Sequence, residues 1–136
     1  MLKGANIEKG IIVTVANKTG ILAHISQILA SHGINIDAVV GYVATEEAKM
    51  MLVTNDNMRA IDALKKEGYR STIETEALMV DLENTPGALE SITVKLASAG
   101  IDIKYIYGTS CPAGCPVRLV LSTSDNEKAL LAFKNR

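Results

Sequence analysis

The 136-residue sequence has no tryptophan, one phenylalanine and four tyrosines. So few aromatic rings leave little surface on which unpaired bases could stack. The charge is nearly balanced, with 14 basic against 15 acidic residues and a net charge of −1. A balanced chain exerts no long-range attraction on phosphate backbones or anionic lipids. The composition therefore argues against partners among nucleic acids and membranes.

Cysteine and long apolar runs are scarce as well. The two cysteines, Cys111 and Cys115, are too few for a secreted scaffold built on disulfides. The longest apolar run near the start, residues 11–13, is too short for a signal sequence or a membrane span. The hydrophobic content of 48% is enough to form a buried core. We therefore expect a cytoplasmic protein.

The chain repeats itself at an offset of 67 residues, with Gly87 placed over Gly20. Without a gap, residues 13–41 align with residues 80–108 and share several identical positions. A period of this length is far longer than a solenoid repeat, so each copy should be a domain of its own. The sequence thus predicts two domains, which we place at residues 1–76 and 77–136.

Hydrophobic periodicity indicates the elements of each copy. A β-branched run at 11–15 is typical of a central strand, and the apolar residues that follow Gly20 have helical spacing. Two strands, a second helix and a last strand at 69–75 complete the first copy, whose order is βαββαβ. The fold class predicted is α+β: two ferredoxin-like sandwiches in tandem, each an antiparallel sheet with helices on one face.

The second copy lacks its last strand, because the sequence ends at Arg136 just after the final helix pattern. In this fold the last strand flanks the first, so the strand at 78–82 would have an unpaired edge. Exposed edges invite pairing with another strand. We expect residues 2–7 or a partner chain to cover it; a shorter sheet, or a chain that stops early, is the alternative.

Two pairs of segments resemble a known family. The run NKTGIL at 17–22, followed by ASHGINI at 30–36, resembles the start of an ACT domain. The run NTPGAL at 84–89, followed by ASAGIDI at 97–103, resembles it equally. The resemblance covers residues 10–134 and is to free-standing tandem ACT proteins that carry no catalytic domain. It implies the βαββαβ fold and a regulatory protein that senses an amino acid.

The resemblance also implies a ligand site at the first strand-to-helix turn of each copy and at the start of the second strand. Such a turn offers free backbone N–H groups and the positive end of a helix dipole to a carboxylate. The residues implied are Asn17, Gly20, Ile21, Leu22 and Asn35 in the first copy and Asn84, Gly87, Ala88, Leu89 and Asp102 in the second. The family holds its ligand between two ACT units, which implies a homodimer.

The sequence departs from the family pattern in two respects. Asp102 stands where the first copy has Asn35, so it accepts hydrogen bonds only and favours the ammonium group of a ligand. Val15 and Leu82 stand where some serine-binding members have a polar residue, which argues against serine as the ligand. A purely structural reading also stays open, in which the asparagines serve only the turns through backbone hydrogen bonds.

The segment CPAGCP at 111–116 is the most unusual local feature. Cys111 and Cys115 could form a disulfide, supply half of a metal site in a dimer, or act as a redox sensor. The simplest interpretation is a tight hairpin with reduced cysteines. His24 and His32 lie eight residues apart, which is not the spacing of helical metal ligands, so we predict no metal site.

No motif in the sequence predicts catalysis. It has no dinucleotide-binding or phosphate-binding glycine loop, no nucleophilic triad and no carboxylate pair suited to acid–base work. We expect no enzyme and no cofactor, but a regulatory protein that binds an amino acid and acts through assembly or on a regulated enzyme. The alternative is a structural or protein-interaction subunit without a ligand.

Overall fold

The structure is a computed structural model that describes residues 1–111 and 113–134. Pro112 of the predicted cysteine hairpin and residues 135–136 at the end of the predicted second domain lie outside the described residues. Six strands and four helices occur along this part of the chain: β1 (Leu2–Ala16), α1 (Ile21–Ser31), β2 (Ile36–Ala44), β3 (Glu47–Thr54), α2 (Asn57–Lys66), β4 (Thr72–Leu82), α3 (Ala88–Ser98), β5 (Ile103–Thr109), β6 (Val117–Thr123) and α4 (Asn126–Lys134).

The chain divides into two compact units. The first unit is Lys9–Thr75, and the second consists of Met1–Glu8 together with the chain from Glu76 onward. The domain boundaries at 1–76 and 77–136 stay a prediction about the duplicated modules. The compact units differ from them in one respect, because the first eight residues pack with the second unit.

In the first unit the strands lie in the order β2-β3-β1-β4. The β1–β3 and β2–β3 pairs are antiparallel, and Leu52 of β3 faces both Ile11 of β1 and Val39 of β2. Helices α1 and α2 pack on this sheet because their apolar stripes need cover from water. The buried core joins both helices to the strands: Ile11, Val13, Ile25, Ile28, Leu29, Ile34, Leu52, Ala60, Ala63, Leu64 and Tyr69.

The second unit has the matching order β1-β4-β6-β5, with antiparallel β4–β6 and β5–β6 pairs. Its core likewise joins the helices to the strands: Leu78, Val80, Leu82, Ala88, Ile92, Leu96, Ile101, Leu119, Leu121, Ala129 and Phe133. The α+β fold class with two ferredoxin-like repeats is therefore confirmed. Both units show the strand order that this class requires, with the helices packed on the sheet.

The N-terminal residues take the place of the strand that the second copy lacks. Leu2, Ala5 and Ile7 pack against the second core. The Glu83 N–H donates to the Met1 carbonyl oxygen at 2.8 Å. The prediction that residues 2–7 cover the edge of the 78–82 strand is thereby confirmed. Since an edge strand offers unpaired N–H and C=O groups, this cover also protects it from other chains.

The sequence pattern separated a strand at 69–75 from one at 78–82, and this was wrong. The structure has a single strand, β4, from Thr72 to Leu82. The segment contains no glycine, proline or asparagine that could break it, and Ala77 in its middle is buried. As a result β4 begins in the first unit and ends in the second, whereas β1 begins in the second and ends in the first.

Helix α3 begins at a glycine, although a Thr-Pro pair that favours a helix start precedes it. The N-cap is Gly87, in the left-handed conformation at φ +85°, and Thr85 contributes its backbone oxygen to the Ala88 N–H at 3.2 Å. Gly20 caps α1 in the same way at φ +89°. A left-handed residue is strained unless it is glycine, which explains why both copies have glycine at this corner.

Candidate functional site

The strand-to-helix corner of the first unit borders an open cavity of about 370 Å³. The end of β1 and the first turn of α1 form one wall, with Lys18, Gly20 and Ile21. The turn after α2 forms the other wall, with Glu67 and Tyr69. Four of the predicted ligand residues, Asn17, Gly20, Ile21 and Leu22, fall at this corner, and Gly20 and Ile21 line the cavity itself.

A histidine–tyrosine contact holds the two walls together. The Nδ1 atom of His24 lies 2.6 Å from the hydroxyl oxygen of Tyr69, and the ring centroids are 5.4 Å apart. Tyr69 is only 8% exposed. Its burial, and next the negative charge of Glu67, raise the pKa of the phenol, so it stays neutral and keeps its hydrogen bond. This contact connects α1 to the chain that follows α2.

The charges at the first corner are of both signs. Lys18 brings an ammonium group and Glu67 a carboxylate, and both residues are exposed. No side chain caps the start of α1, a helix described in full, so N–H groups of its first turn are available to a further partner. The corner can thus bind an anionic group and a cationic group of one small molecule.

The corresponding corner of the second unit has a cavity of about 240 Å³. Glu83, Asn84 and Thr85, between β4 and α3, line one side of it. Lys3, in the N-terminal part of β1, lines it as well, so the segment that completes the sheet also supplies the cation. Gly114 and Pro116, the residues on either side of Cys115, line the remaining side.

The other predicted residues of the second corner do not line this cavity. Gly87 borders a separate open depression of about 420 Å³ together with Glu90, Ser91 and Lys95 of α3. Ala88 is buried in the core, where no ligand can contact it without displacing core residues. Leu89 is 51% exposed, and its counterpart Leu22 in the first unit is 43% exposed. The two leucines are accessible, which a core role would not require.

Asn35 and Asp102 lie far from the corners of their own units. Asn17 follows Ala16, which pairs with Glu47 at one end of β3, whereas Asn35 precedes Ile36, which pairs with Thr54 at the other end. Seven residues of extended strand separate the two ends, about 23 Å. Asp102 has the same relation to Asn84, because Leu82 and Ile103 pair with opposite ends of β6. Within one unit, a single amino acid cannot contact both positions.

The polar groups at these distant positions have local partners. The Asn35 N–H donates to Asn55 Oδ1 at 2.9 Å, and its side chain donates to Asp37 Oδ1 at 2.7 Å. The Asp102 N–H donates to Ser124 Oγ at 3.0 Å. At the first corner, the backbone N–H of Asn17 donates to the Glu46 oxygen at 2.9 Å, and its side chain is exposed.

Sequence reasoning missed a repeated capping motif, TNDN at 54–57 and TSDN at 123–126. Asn57 Oδ1 accepts from both the backbone and the hydroxyl of Thr54, at 3.1 and 2.6 Å. Asn126 Oδ1 accepts from Thr123 in the same way, at 2.9 and 2.8 Å. The signal was present as a T-x-D-N repeat, since Asp and Asn are favoured where helices begin.

The cysteines are not reduced thiols, contrary to the simplest interpretation of the sequence. Cys111 and Cys115 form a disulfide with their Cα atoms 5.2 Å apart. Gly114 adopts φ +81° in the chain between them, which lets the loop turn back within four residues. Among residues 1–111 and 113–134 no group of three or more His, Cys, Asp or Glu is arranged to hold a metal ion.

A comparison with family models gives a match in the first copy. Residues 10–66 match the model of the ACT domain. This match agrees with the resemblance that the sequence motifs of the first copy indicated. Among curated proteins, none matches this chain in sequence.

Solved structures with the same fold cover nearly the whole chain. Protein BT0572 of Bacteroides thetaiotaomicron is 24% identical, with a TM-score of 0.85 over 96% of this chain and 88% of that one. The regulatory subunit of aspartate kinase from Thermus thermophilus is 20% identical, with a TM-score of 0.71 over 98% and 97%. The same subunit from Thermus flavus is 21% identical, with a TM-score of 0.67 over 98% and 96%. At these identities the likeness establishes the fold.

No helix in the described part of the chain is both long and apolar enough to span a membrane.

Proposed function

We propose that this chain is a regulatory protein, not an enzyme, that binds an amino acid at the corner of each unit. Binding would change its own assembly or its contact with a regulated enzyme in the cytoplasm. The ligand site includes Asn17, Gly20, Ile21 and Leu22 of the first copy and Asn84, Gly87 and Leu89 of the second. Ala88, which is buried, would support the second site from the core without contacting the ligand.

The charge pattern of the two cavities carries this proposal. Each cavity is lined by one lysine and one glutamate: Lys18 with Glu67 in the first unit, Lys3 with Glu83 in the second. An α-amino acid has one carboxylate and one ammonium group, so each group finds an opposite charge. Charge-assisted hydrogen bonds of this kind are stronger than neutral ones.

Structural likeness supports a regulatory role. The Thermus thermophilus protein with the same fold over 98% of this chain is the regulatory subunit of aspartate kinase. A fold can host unrelated functions, so the corners with their paired charges remain the main support.

The positions of Asn35 and Asp102 support an assembly of two chains. These residues lie at the sheet ends opposite to their own corners. If they contact the ligand, they have to approach a corner of another ACT unit, such as one in a second copy of the chain. We therefore propose a homodimer, which light scattering would reveal as twice the mass of the 14.5 kDa chain.

Thermal melting with each of the twenty proteinogenic amino acids tests the proposal. An amino acid present at 100 times its dissociation constant should stabilise the protein by about 2.7 kcal/mol, a readily measured shift. Lys18→Met and Glu67→Gln should weaken binding at the first corner, and Lys3→Met and Glu83→Gln at the second. Lys104→Met is the matched control, because Lys104 is exposed and lines neither cavity.

The alternative function is a protein-interaction subunit without a ligand. Strand β2 lies at an edge of the first unit's sheet, and its Val39 and Val43 are 44% and 53% exposed. An apolar edge strand can pair with a strand of another protein. If none of the twenty amino acids shifts the melting temperature, this alternative replaces the proposed function.

A further inference from the structure

The disulfide closes a small loop at the end of the β5–β6 hairpin. Cys115 is exposed, whereas Cys111 is half-buried. The backbone N–H of Cys115 donates to the Sγ atom of Cys111 at 3.3 Å. The two sulfur atoms therefore differ: an incoming reagent reaches Cys115 more easily, and a hydrogen bond is already directed at Cys111.

This loop adjoins the second corner. Gly114 and Pro116, the residues on either side of Cys115, line the same cavity as Asn84 and Thr85. The first unit has no such wall, because its β2–β3 connection consists only of Thr45 and Glu46 and contains no cysteine. The second corner thus has a wall that belongs to a disulfide-closed loop, and the first corner does not.

We propose that the Cys111–Cys115 disulfide is a redox modification site that exchanges with a dithiol and thereby alters the second ligand cavity. Only one consequence of this inference rests on the proposed function: that the affinity of the second corner for an amino acid depends on the redox state. The exchange itself and the change of the cavity wall require no ligand.

The exchange proceeds in two balanced steps. A thiolate of the dithiol attacks Cys115 Sγ, and the bond between the two cysteine sulfurs breaks. The electron pair goes to Cys111 Sγ, whose thiolate the Cys115 N–H stabilises and which then takes a proton from solvent. The second thiol of the dithiol, as its thiolate, then attacks the dithiol sulfur atom of the mixed disulfide. The Cys115 thiolate leaves and is also protonated. The cysteine pair is reduced, and the dithiol becomes a disulfide.

The cavity responds because the disulfide limits the conformations of the loop. Closing a loop removes conformational freedom, and opening it restores that freedom. Once the bond is broken, the loop that carries Gly114 and Pro116 can adopt more conformations, so the wall that these residues form is less fixed. The reducing conditions of the cytoplasm, where we expect this protein, make such a disulfide one that is formed and broken rather than permanent.

Iodoacetamide labelling of the full chain tests the chemistry. After treatment with an oxidant such as diamide, mass spectrometry should find no label, and after dithiothreitol it should find two. If thiols are fully labelled even after oxidation, the proposal is overturned, because the bond then does not form.

Amide NMR of the ligand-free protein tests the effect on the cavity. Reduction should shift the amide signals of Glu83, Asn84 and Thr85, whereas those of Lys18, Thr19 and Gly20 at the first corner should not move. A Cys111→Ser/Cys115→Ser chain should match the reduced protein and not respond to dithiothreitol. Unchanged signals at 83–85 in a protein whose disulfide forms and breaks would overturn the proposal.

The consequence for binding is measured in a Lys18→Met/Glu67→Gln background, in which the second corner reports alone. The melting shifts caused by the twenty amino acids should differ between oxidised and reduced protein. Equal, non-zero shifts in both states contradict redox control but leave the proposed function intact. The absence of any shift in both states, with the NMR response present, contradicts the proposed function and leaves the redox site intact.

Discussion

One ion pair joins neighbouring strands in the second unit. Arg118 of β6 donates from Nε to Asp81 Oδ1 at 2.8 Å, and a terminal guanidinium nitrogen donates to Oδ2 at 3.0 Å. These hydrogen bonds lower the pKa of the Asp81 carboxyl, although partial burial acts in the opposite direction. The two residues face each other directly across the β4–β6 pair, where opposite charges stabilise a sheet.

Stability should fall in acid partly through this pair. Because the folded pKa of Asp81 lies below its unfolded value, the contribution is fully present above the unfolded pKa, about 3.9, and is lost as pH falls through the folded pKa. The pair is largely exposed, so we expect at most about 1 kcal/mol. Urea midpoints between pH 7 and pH 2.5 should drop less steeply for Asp81→Asn than for the native chain. Parallel curves would contradict this assignment.

Gly41 and Gly108 occupy equivalent positions in the two copies, and neither has room for a side chain. A Cβ atom at Gly108 would meet the backbone oxygen of Arg118 and the side chain of Leu119. At Gly41 it would meet the Sδ atom of Met50, the flexible part of a long side chain. The neighbouring strand thus approaches both glycines closely.

Replacement of these glycines by alanine should therefore have unequal effects. Gly108→Ala should destabilise the protein by about 1–3 kcal/mol, because backbone cannot move aside without strain. Gly41→Ala should cost less, since a methionine side chain adapts readily. Gly4→Ala is the control, because nothing lies within 4 Å of its added Cβ. Urea unfolding of the three variants provides the measurement, and a larger loss at Gly41 than at Gly108 would disprove the explanation.

At the scale of elements, the long strand β1 serves both units. Its first residues complete the second unit, where Leu2, Ala5 and Ile7 contact the core, and its later residues form the first unit, where Ile11 and Val13 are fully buried. Strand β4 does the same in the opposite direction. Each unit therefore contains part of β1 and part of β4.

Deletion of residues 1–7 should destabilise the second unit selectively. The change removes the apolar cover of the second core and the hydrogen bond between Met1 and Glu83. It also leaves β4 with an exposed edge, which favours association with other chains. Amide hydrogen exchange should become faster at 78–82 but remain slow at 11–15. Unchanged melting temperature and oligomeric state would show that this segment does not cover the edge.

At the scale of the whole molecule, the described residues form two hydrophobic cores, one in each unit. Leu64 lies fully buried in the first and Leu121 in the second. The two cores share no residue, so a cavity made in one acts first on its own unit. The N-terminal residues belong to the second core although they directly precede the first unit in sequence.

Leucine-to-alanine changes in the cores should expose this division. Leu64→Ala and Leu121→Ala should each cost about 2–5 kcal/mol, because each leaves a cavity. Hydrogen exchange at residues 2–7 should accelerate in Leu121→Ala and stay close to native in Leu64→Ala. The opposite pattern would assign the N-terminal residues to the first unit and refute the division described above.

The local features of this protein could be predicted from its sequence because contiguous residues encode them. The glycines at 20 and 87, the helical stripe of Ile25 and Leu29 and the repeat at 67 residues together determined the fold class. The corner residues were predicted from the same motifs. The cavity walls were not, because Lys18 and Glu67, or Lys3 and Glu83, are distant in sequence, and no local pattern indicates which distant segments meet.

The sequence by itself determined that the chain is a doubled βαββα pattern with a turn glycine at each corner. Periodicity and turn propensity depend on a few neighbouring residues, so they can be recognised without knowing which distant segments pack against them. Only the tertiary structure decided that residues 2–7 serve the second unit, that β4 is one strand, and that Cys111 and Cys115 are joined beside Asn84. Strand pairing and side-chain contacts between distant segments depend on which edges and apolar faces remain to be covered, and that is known only when the whole chain has folded.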